Sequence, residues 1–211
     1  MSVFFQDFTE TDRLLALSDG VIAIAITLLV LDLSVPTVSD AGLSTVVSEV
    51  TIQQWTELLG FVLSFLVIGE FWMLHRRIFT QIERHERGVI YLNLLFLLLV
   101  AFIPFATGVF TTAPNQGGVS VFGATLALTG LSVALLWLYA SRRNLLREGL
   151  TSRVVGIEAA RFFATPLIFL GSILLATVTP TLAIASWALL VPIHATLHSR
   201  RVQAIQQGAV D

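Results

Sequence analysis

The chain has 211 residues, 55% of them hydrophobic and only 12% charged, and a net charge of −2. Its mean hydropathy is +0.85, whereas soluble domains carry roughly 25% charged residues. That balance excludes a globular cytosolic enzyme, a nucleic-acid binder and a secreted factor, and at about 20 apolar residues per bilayer crossing it leaves room for some six spans. With no cysteine, disulfides, thiol catalysis and Cys-based metal sites are ruled out. All twelve basic residues are arginine, and no glycine-rich phosphate-cradling spacing is present.

The acidic N-terminal segment 1–12 has no basic region and no small-residue cleavage site after the first apolar run. The first run, Leu14–Val35, is therefore expected to be a retained helix rather than a signal peptide. On a wheel of 100° per residue, Leu17, Gly20, Ile24, Thr27 and Leu31 fall along one stripe. Ser18 and Asp19 lie on its flank, Leu28 adjoins it, and Ala23 and Ala25 bracket Ile24 with small side chains that permit close approach. Asp19 is inside the span, where a carboxylate costs several kcal/mol unless paired or hydrated. Arg13 on the same helix, Trp72 and His75 near the inner end of the second, and Asn93 one turn into the third lie at matching depth. A buried polar network of Arg13, Ser18, Asp19, Trp72, His75 and Asn93 is geometrically possible.

The connection 36–54, with Asp40 and Glu49, is expected to be a loop or a short surface helix. The second and third spans read as Trp55–Phe79 and Val89–Phe110, joined by a segment with Arg76, Arg77, Arg84 and Arg87. Within that joint, Glu83 to Arg87 reads as a solvated loop. The turn Asn115-Gln116-Gly117-Gly118 precedes a fourth span, Val119–Ser141. Arg142, Arg143, Arg147 and Arg153 then lead to the fifth, Ile157–Val178, with Arg161 near its start. Thr179-Pro180 opens the sixth, Thr181–His198, followed by Arg200 and Arg201. Pro104, Pro166 and Pro192 fall inside apolar runs as tolerated kinks. The opposite connections, 36–54, 111–118 and 179–180, hold no arginine, so both termini are expected in the cytoplasm.

Other polar groups suggest other chemistry. Asp19, Glu70 and His75 titrate at membrane depth, as proton-relay or transporter groups would. His194-x3-His198 puts two imidazoles on one helix face, but the segment lacks the glutamate of a metalloprotease helix and reads as interfacial. No nucleophile–base or paired-carboxylate arrangement is legible, so no enzyme, metal site or cofactor is expected.

The run Arg13-x3-Leu17-Ser18-Asp19-Gly20-Val21 followed by IAIAITLLVLDL resembles the R-x3-F-S-D signature of the transmembrane protein 175 family of endolysosomal potassium channels and their prokaryotic relatives. Phe71-Trp72-x2-His75 and Asn93 are similar to that family's second- and third-helix positions. Leu17 stands where the family usually has phenylalanine, which implies different packing there.

The resemblance implies a single six-helix channel domain over 1–211, all-α, assembled as a homotetramer in the cytoplasmic membrane of a prokaryote. Helix one would line a central pore, with no ring of backbone carbonyls as its filter. Ile24, Thr27 and Leu31 would face the pore, Ile24 and Leu31 as apolar constrictions, and Leu17, Gly20 and Leu28 would extend that face. The implied partners are further copies of the chain, the bilayer and monovalent cations, not nucleic acid. The implied activity is potassium permeation with modest selectivity over sodium. Secondary transport or a proton leak through Asp19, Glu70 and His75 is the alternative. Asp32 outside and Asp7, Glu10 and Asp12 inside would favour cations near the mouths.

Overall fold

The computed structural model describes residues 10–34, 54–84 and 86–208. Asp7, Asp40, Glu49 and His85, and the side chains of Glu10 and Asp12, lie outside the described part. Helix α1 (Glu10–Leu28) continues as a 3-10 turn, Leu29–Asp32, and is followed by α2 (Trp55–Gln81), α3 (Arg87–Thr112), α4 (Gln116–Arg142) and α5 (Ser152–Ala176). The last span is α6 (Pro180–Ser186), a 3-10 turn Trp187–Leu189 and α7 (Leu190–Gly208) in one continuous run. Among the described residues, six helical segments are long and apolar enough to cross a membrane. The fold is an all-α membrane architecture, with no strand among the described residues.

Local chemistry sets the helix starts. The Asn115 side chain accepts from the amides of Gly117 and Gly118 at 2.9 and 3.2 Å, which satisfies donors that the start of α4 leaves open. Thr151 and Thr179 do the same for α5 and α6, the latter with Pro180 at the first position, where no amide is missed. Pro192 lacks the amide that would bond the Ala188 carbonyl, and the chain tightens to 3-10 geometry at that place. The first span ends at Asp32, short of Val35, and the sixth runs past His198 to Ala204.

The centre of the fold is α4, of whose apolar window 67% is buried, against 22% for the first span and 11% for the sixth. It lies between α3 and α5. The approach to α5 is close: a Cβ on Gly130 would come within 2.9 Å of Pro166 Cδ. Phe110, Phe122, Phe169 and Trp187 form an aromatic cluster joining α3, α4, α5 and the last span, with centroids 5.2–5.9 Å apart. By contrast α1 packs on α2 and α3 at the side of the fold.

The two arginine-rich loops are knitted together. The Glu83 amide donates to the Leu145 carbonyl at 2.9 Å and the Arg147 amide to the Gln81 carbonyl at 2.8 Å. Glu86 accepts from the Tyr139 hydroxyl at 3.0 Å and from Arg143 Nε at 3.2 Å. These two bonds, the tyrosine first, hold the Glu86 carboxyl below its ordinary range, and the carboxylate in turn raises Arg143.

Candidate functional site

Two stripes of opposite character run down α1. Ser18, Ile22, Ala25 and Leu29 are buried, each at most 2% exposed, spaced by four, three and four residues so that they share one face. On the other face Leu17, Gly20, Ala23, Ile24, Thr27, Leu28 and Leu31 are exposed, with Ile24 at 60% and Leu31 at 75%. The residues expected to face a pore therefore form one uncovered face, and none of them is buried in the subunit. Thr27 adds a chemical detail. Its hydroxyl donates to the Ile24 carbonyl at 2.8 Å, so the oxygen presents only its lone pairs outward.

The buried stripe is fixed by a polar network at its N-terminal half. Asn93 Nδ2 donates to Ser18 Oγ at 3.0 Å, and Ser18 Oγ donates to the Leu14 carbonyl at 2.8 Å. His75 Nε2 donates to Asn93 Oδ1 at 2.7 Å. All three side chains are fully buried. The imidazole stacks on Phe96, with centroids 5.1 Å apart and planes at 11°. Its Nδ1 is buried with no hydrogen-bond partner among the described residues.

Asp19 forms a separate, more exposed contact. Trp72 Nε1 donates to Oδ1 at 2.8 Å and Arg76 Nη1 to Oδ2 at 3.1 Å. Trp72 and Arg76 are four residues apart and so share a face of α2, and the guanidinium also lies over the indole, 5.6 Å from its centroid. The expected six-residue network is thus two. Arg13 is exposed and not bonded to Asp19 among the described residues; Arg76 takes that role. The sequence could have pointed to Arg76 through its position one turn after Trp72.

The C-terminal end of the first span is held too, by a contact the sequence does not signal. The Ser34 amide and hydroxyl both donate to the Glu57 carboxylate, at 2.8 and 3.0 Å. Asp32 lies over Gly108 of α3, 3.6–3.7 Å from where a Cβ there would sit. The pore-facing candidates thus lie between an N-terminal and a C-terminal anchorage.

Asp19, Glu70 and His75 are not one relay. Glu70 turns away from α1 and accepts from His194 Nδ1 at 2.9 Å, with Arg161 Nη2 3.6 Å from the same oxygen. Nearer the arginine-rich end, Glu158 pairs with Arg77 at 3.4 Å and with Arg201. His194 is thus committed to Glu70 and Thr165 rather than to His198, and no cluster of three potential metal-ligating side chains occurs among the described residues.

Comparison with known proteins bears on the same helices. Residues 13–104 match the family model described as endosomal/lysosomal potassium channel TMEM175. A potassium channel of Streptomyces collinus is 35% identical over 138 residues, which cover 63% of this chain and 66% of that protein. A potassium channel of Chamaesiphon minutus is 36% identical over 137 residues, covering 63% of this chain and 67% of that one. The match thus spans about two thirds of the length of these relatives. The crystal structure of a lysosomal potassium-selective channel TMEM175 homolog from Chamaesiphon minutus superposes with a TM-score of 0.74 at 28% identity, over 90% of this chain and 98% of that one. The family and these relatives are named as channels, not enzymes, and their bacterial members point to the cell membrane as the site of a multi-pass protein. The matched region is the one in which α1 is bonded to α2 and α3, and on these grounds the chain belongs to the TMEM175 family.

Proposed function

We propose that the protein is a potassium-permeable channel in which four copies surround a pore lined by the exposed face of α1. The observation that carries this reading is the division of α1 into a buried, hydrogen-bonded stripe and an uncovered one. A helix meant only for lipid needs no buried Ser–Asn–His network behind it. A helix that must hold a constriction to within an ångström does.

In this reading Ile24 and Leu31 form apolar rings. Such rings cannot replace an ion's water; they close by dewetting and open when widened. Between them the Thr27 oxygens, their protons given to the Ile24 carbonyl, offer acceptors to a partly dehydrated cation. Potassium sheds water more readily than sodium, which gives a modest preference. Leu17, Gly20 and Leu28 continue the wall, and Asp32 adds negative charge at the outer mouth. Eleven of the twelve arginines lie at one end of the fold, and Arg161 is further along α5. That end faces the cytoplasm, which puts both termini there, in the cytoplasmic membrane of a prokaryote. No cofactor takes part.

Single-channel recording tests the assignment. Ile24→Asn or Leu31→Asn should raise conductance several-fold or abolish the preference for potassium, because a polar ring stays wet. Currents identical to the parent in both variants would remove α1 from the pore.

A further inference from the structure

We propose that the protein carries a second ligand site, between α2, α5 and the last span, that takes a protonated amine bearing an apolar body. The site is a cavity of about 550 Å³. Its walls include Leu63, Leu66, Val67, Phe169, Trp187 and Val191, and its polar end is Glu70, Thr165 and His194. Small-molecule sites have this form: roughly 300–1,000 Å³, apolar walls, a few placed polar groups, often between helices of a bundle.

The hydrogen bonding at the polar end selects the ligand's head. A carboxylate only accepts, so the 2.9 Å contact is His194 Nδ1–H donating to Glu70 Oε1. His194 Nε2 then accepts from the Thr165 hydroxyl at 3.2 Å. Arg161 reaches toward the same Oε1 at 3.6 Å. Glu70 Oε2 is left with no hydrogen-bond partner among the described residues. It belongs to a side chain that lines the cavity and keeps 29% of its surface exposed.

Glu70 is eleven residues from the inner end of α2, about 16 Å along its axis, which places it at hydrocarbon depth. An open carboxylate oxygen there requires a donor. An ammonium head supplies both a donor and a positive charge. A sulfate or phosphate head would meet a carboxylate, and a plain acyl chain would leave the oxygen bare. The site does not rest on the pore reading: α1 contributes none of its lining, and Thr165, Phe169, Trp187, Val191 and His194 lie outside the segment 13–104 that matches the family model.

Trp187, in the wall, serves as the reporter. The full chain in lipid nanodiscs is titrated with 12-bromododecylamine, whose bromine quenches indole fluorescence, with 12-bromododecanol and a bromododecyl sulfate as head-group controls. The Trp187→Phe variant assigns the signal. The expected result is saturable quenching by the amine, at least ~10-fold tighter than by the alcohol or the sulfate. Glu70→Gln should bring the amine to the alcohol's level, and Ala188→Phe, which fills the cavity, should abolish quenching by both. The comparison of heads on the native sequence needs no variant, so misfolding of Glu70→Gln leaves the question decidable. Equal quenching by all three heads overturns the proposal. So does the absence of saturation, equal quenching by brominated phospholipid in the disc, or a Trp187 shielded by a second copy of the chain.

Discussion

Asn93 joins two helices to a third through two hydrogen bonds made in the buried interior. Its amide donates to Ser18 while its carbonyl accepts from His75. Asn93→Leu keeps the volume but leaves a buried imidazole N–H without an acceptor and the Ser18 oxygen without its donor, the Ser18 hydroxyl still donating to the Leu14 carbonyl. The expected cost is roughly 2–4 kcal/mol, read as a lower denaturation midpoint of the assembled protein. Trp72→Phe removes one bond to the more exposed Asp19 and should cost about 1 kcal/mol. Equal losses in the two variants would contradict the division into a buried and an exposed contact. Thr27→Val tests the other side of α1. It preserves the shape and removes the outward lone pairs, so potassium conductance should fall several-fold relative to Thr27→Ser, with folding unchanged.

What could be read from the residues and what could not divides along the same line. The uncovered stripe of α1 was legible because helical period alone puts Leu17, Gly20, Ile24, Thr27 and Leu31 on one side. The partners of its polar residues depend on how helices cross. Arg13, close in sequence, lies at a matching depth to Asp19; Arg76, 57 residues away, makes the contact. The Glu70–His194 bond joins residues 124 apart, and Glu57 meets Ser34 across a connection whose course no pattern gives. Neither could be found without the fold.

At the scale of elements, rigidity is concentrated in α4 and its neighbours, and α1 is added at the side through specific polar contacts. Gly130 allows α4 to lie against Pro166 of α5, and a methyl group there would meet the proline ring at 2.9 Å and its nitrogen at 3.3 Å. Gly130→Ala should therefore destabilise by about 1–3 kcal/mol despite the better helix propensity of alanine. A stabilised variant in thermal unfolding would show that the two helices have room to separate.

The loop clasp of Glu86, Tyr139 and Arg143 makes a prediction about pH. The carboxyl of Glu86 is lowered in the fold, so the clasp is fully formed above the ordinary carboxylate range and is lost as pH falls through the lowered value. Protection of the Glu83 and Arg147 amides against hydrogen exchange, taken relative to their intrinsic rate at each pH, should fall at acidic pH. Glu86→Gln should remove that acid-dependent step; the same loss of protection in the variant would assign it elsewhere.

For the whole molecule, burial is unevenly distributed among the spans. The first span leaves most of its apolar window uncovered, as does the last, while α4 is nearly enclosed. In a bilayer, lipid can cover any apolar face; α1 adds to its uncovered face a buried polar network behind it and bonds at both ends. In the proposed reading, a symmetric assembly about that face would enclose a pore without altering the subunit core.

The measurement that tests this most directly is the reversal potential of the purified assembly in a planar bilayer, with potassium on one side and sodium on the other. A current that reverses toward the potassium equilibrium potential, and moves toward zero in Ile24→Asn, is the predicted result. A parent current with no preference for potassium, or a conductance and reversal potential that Ile24→Asn and Leu31→Asn both leave in place, would contradict a potassium pore built on the first helix.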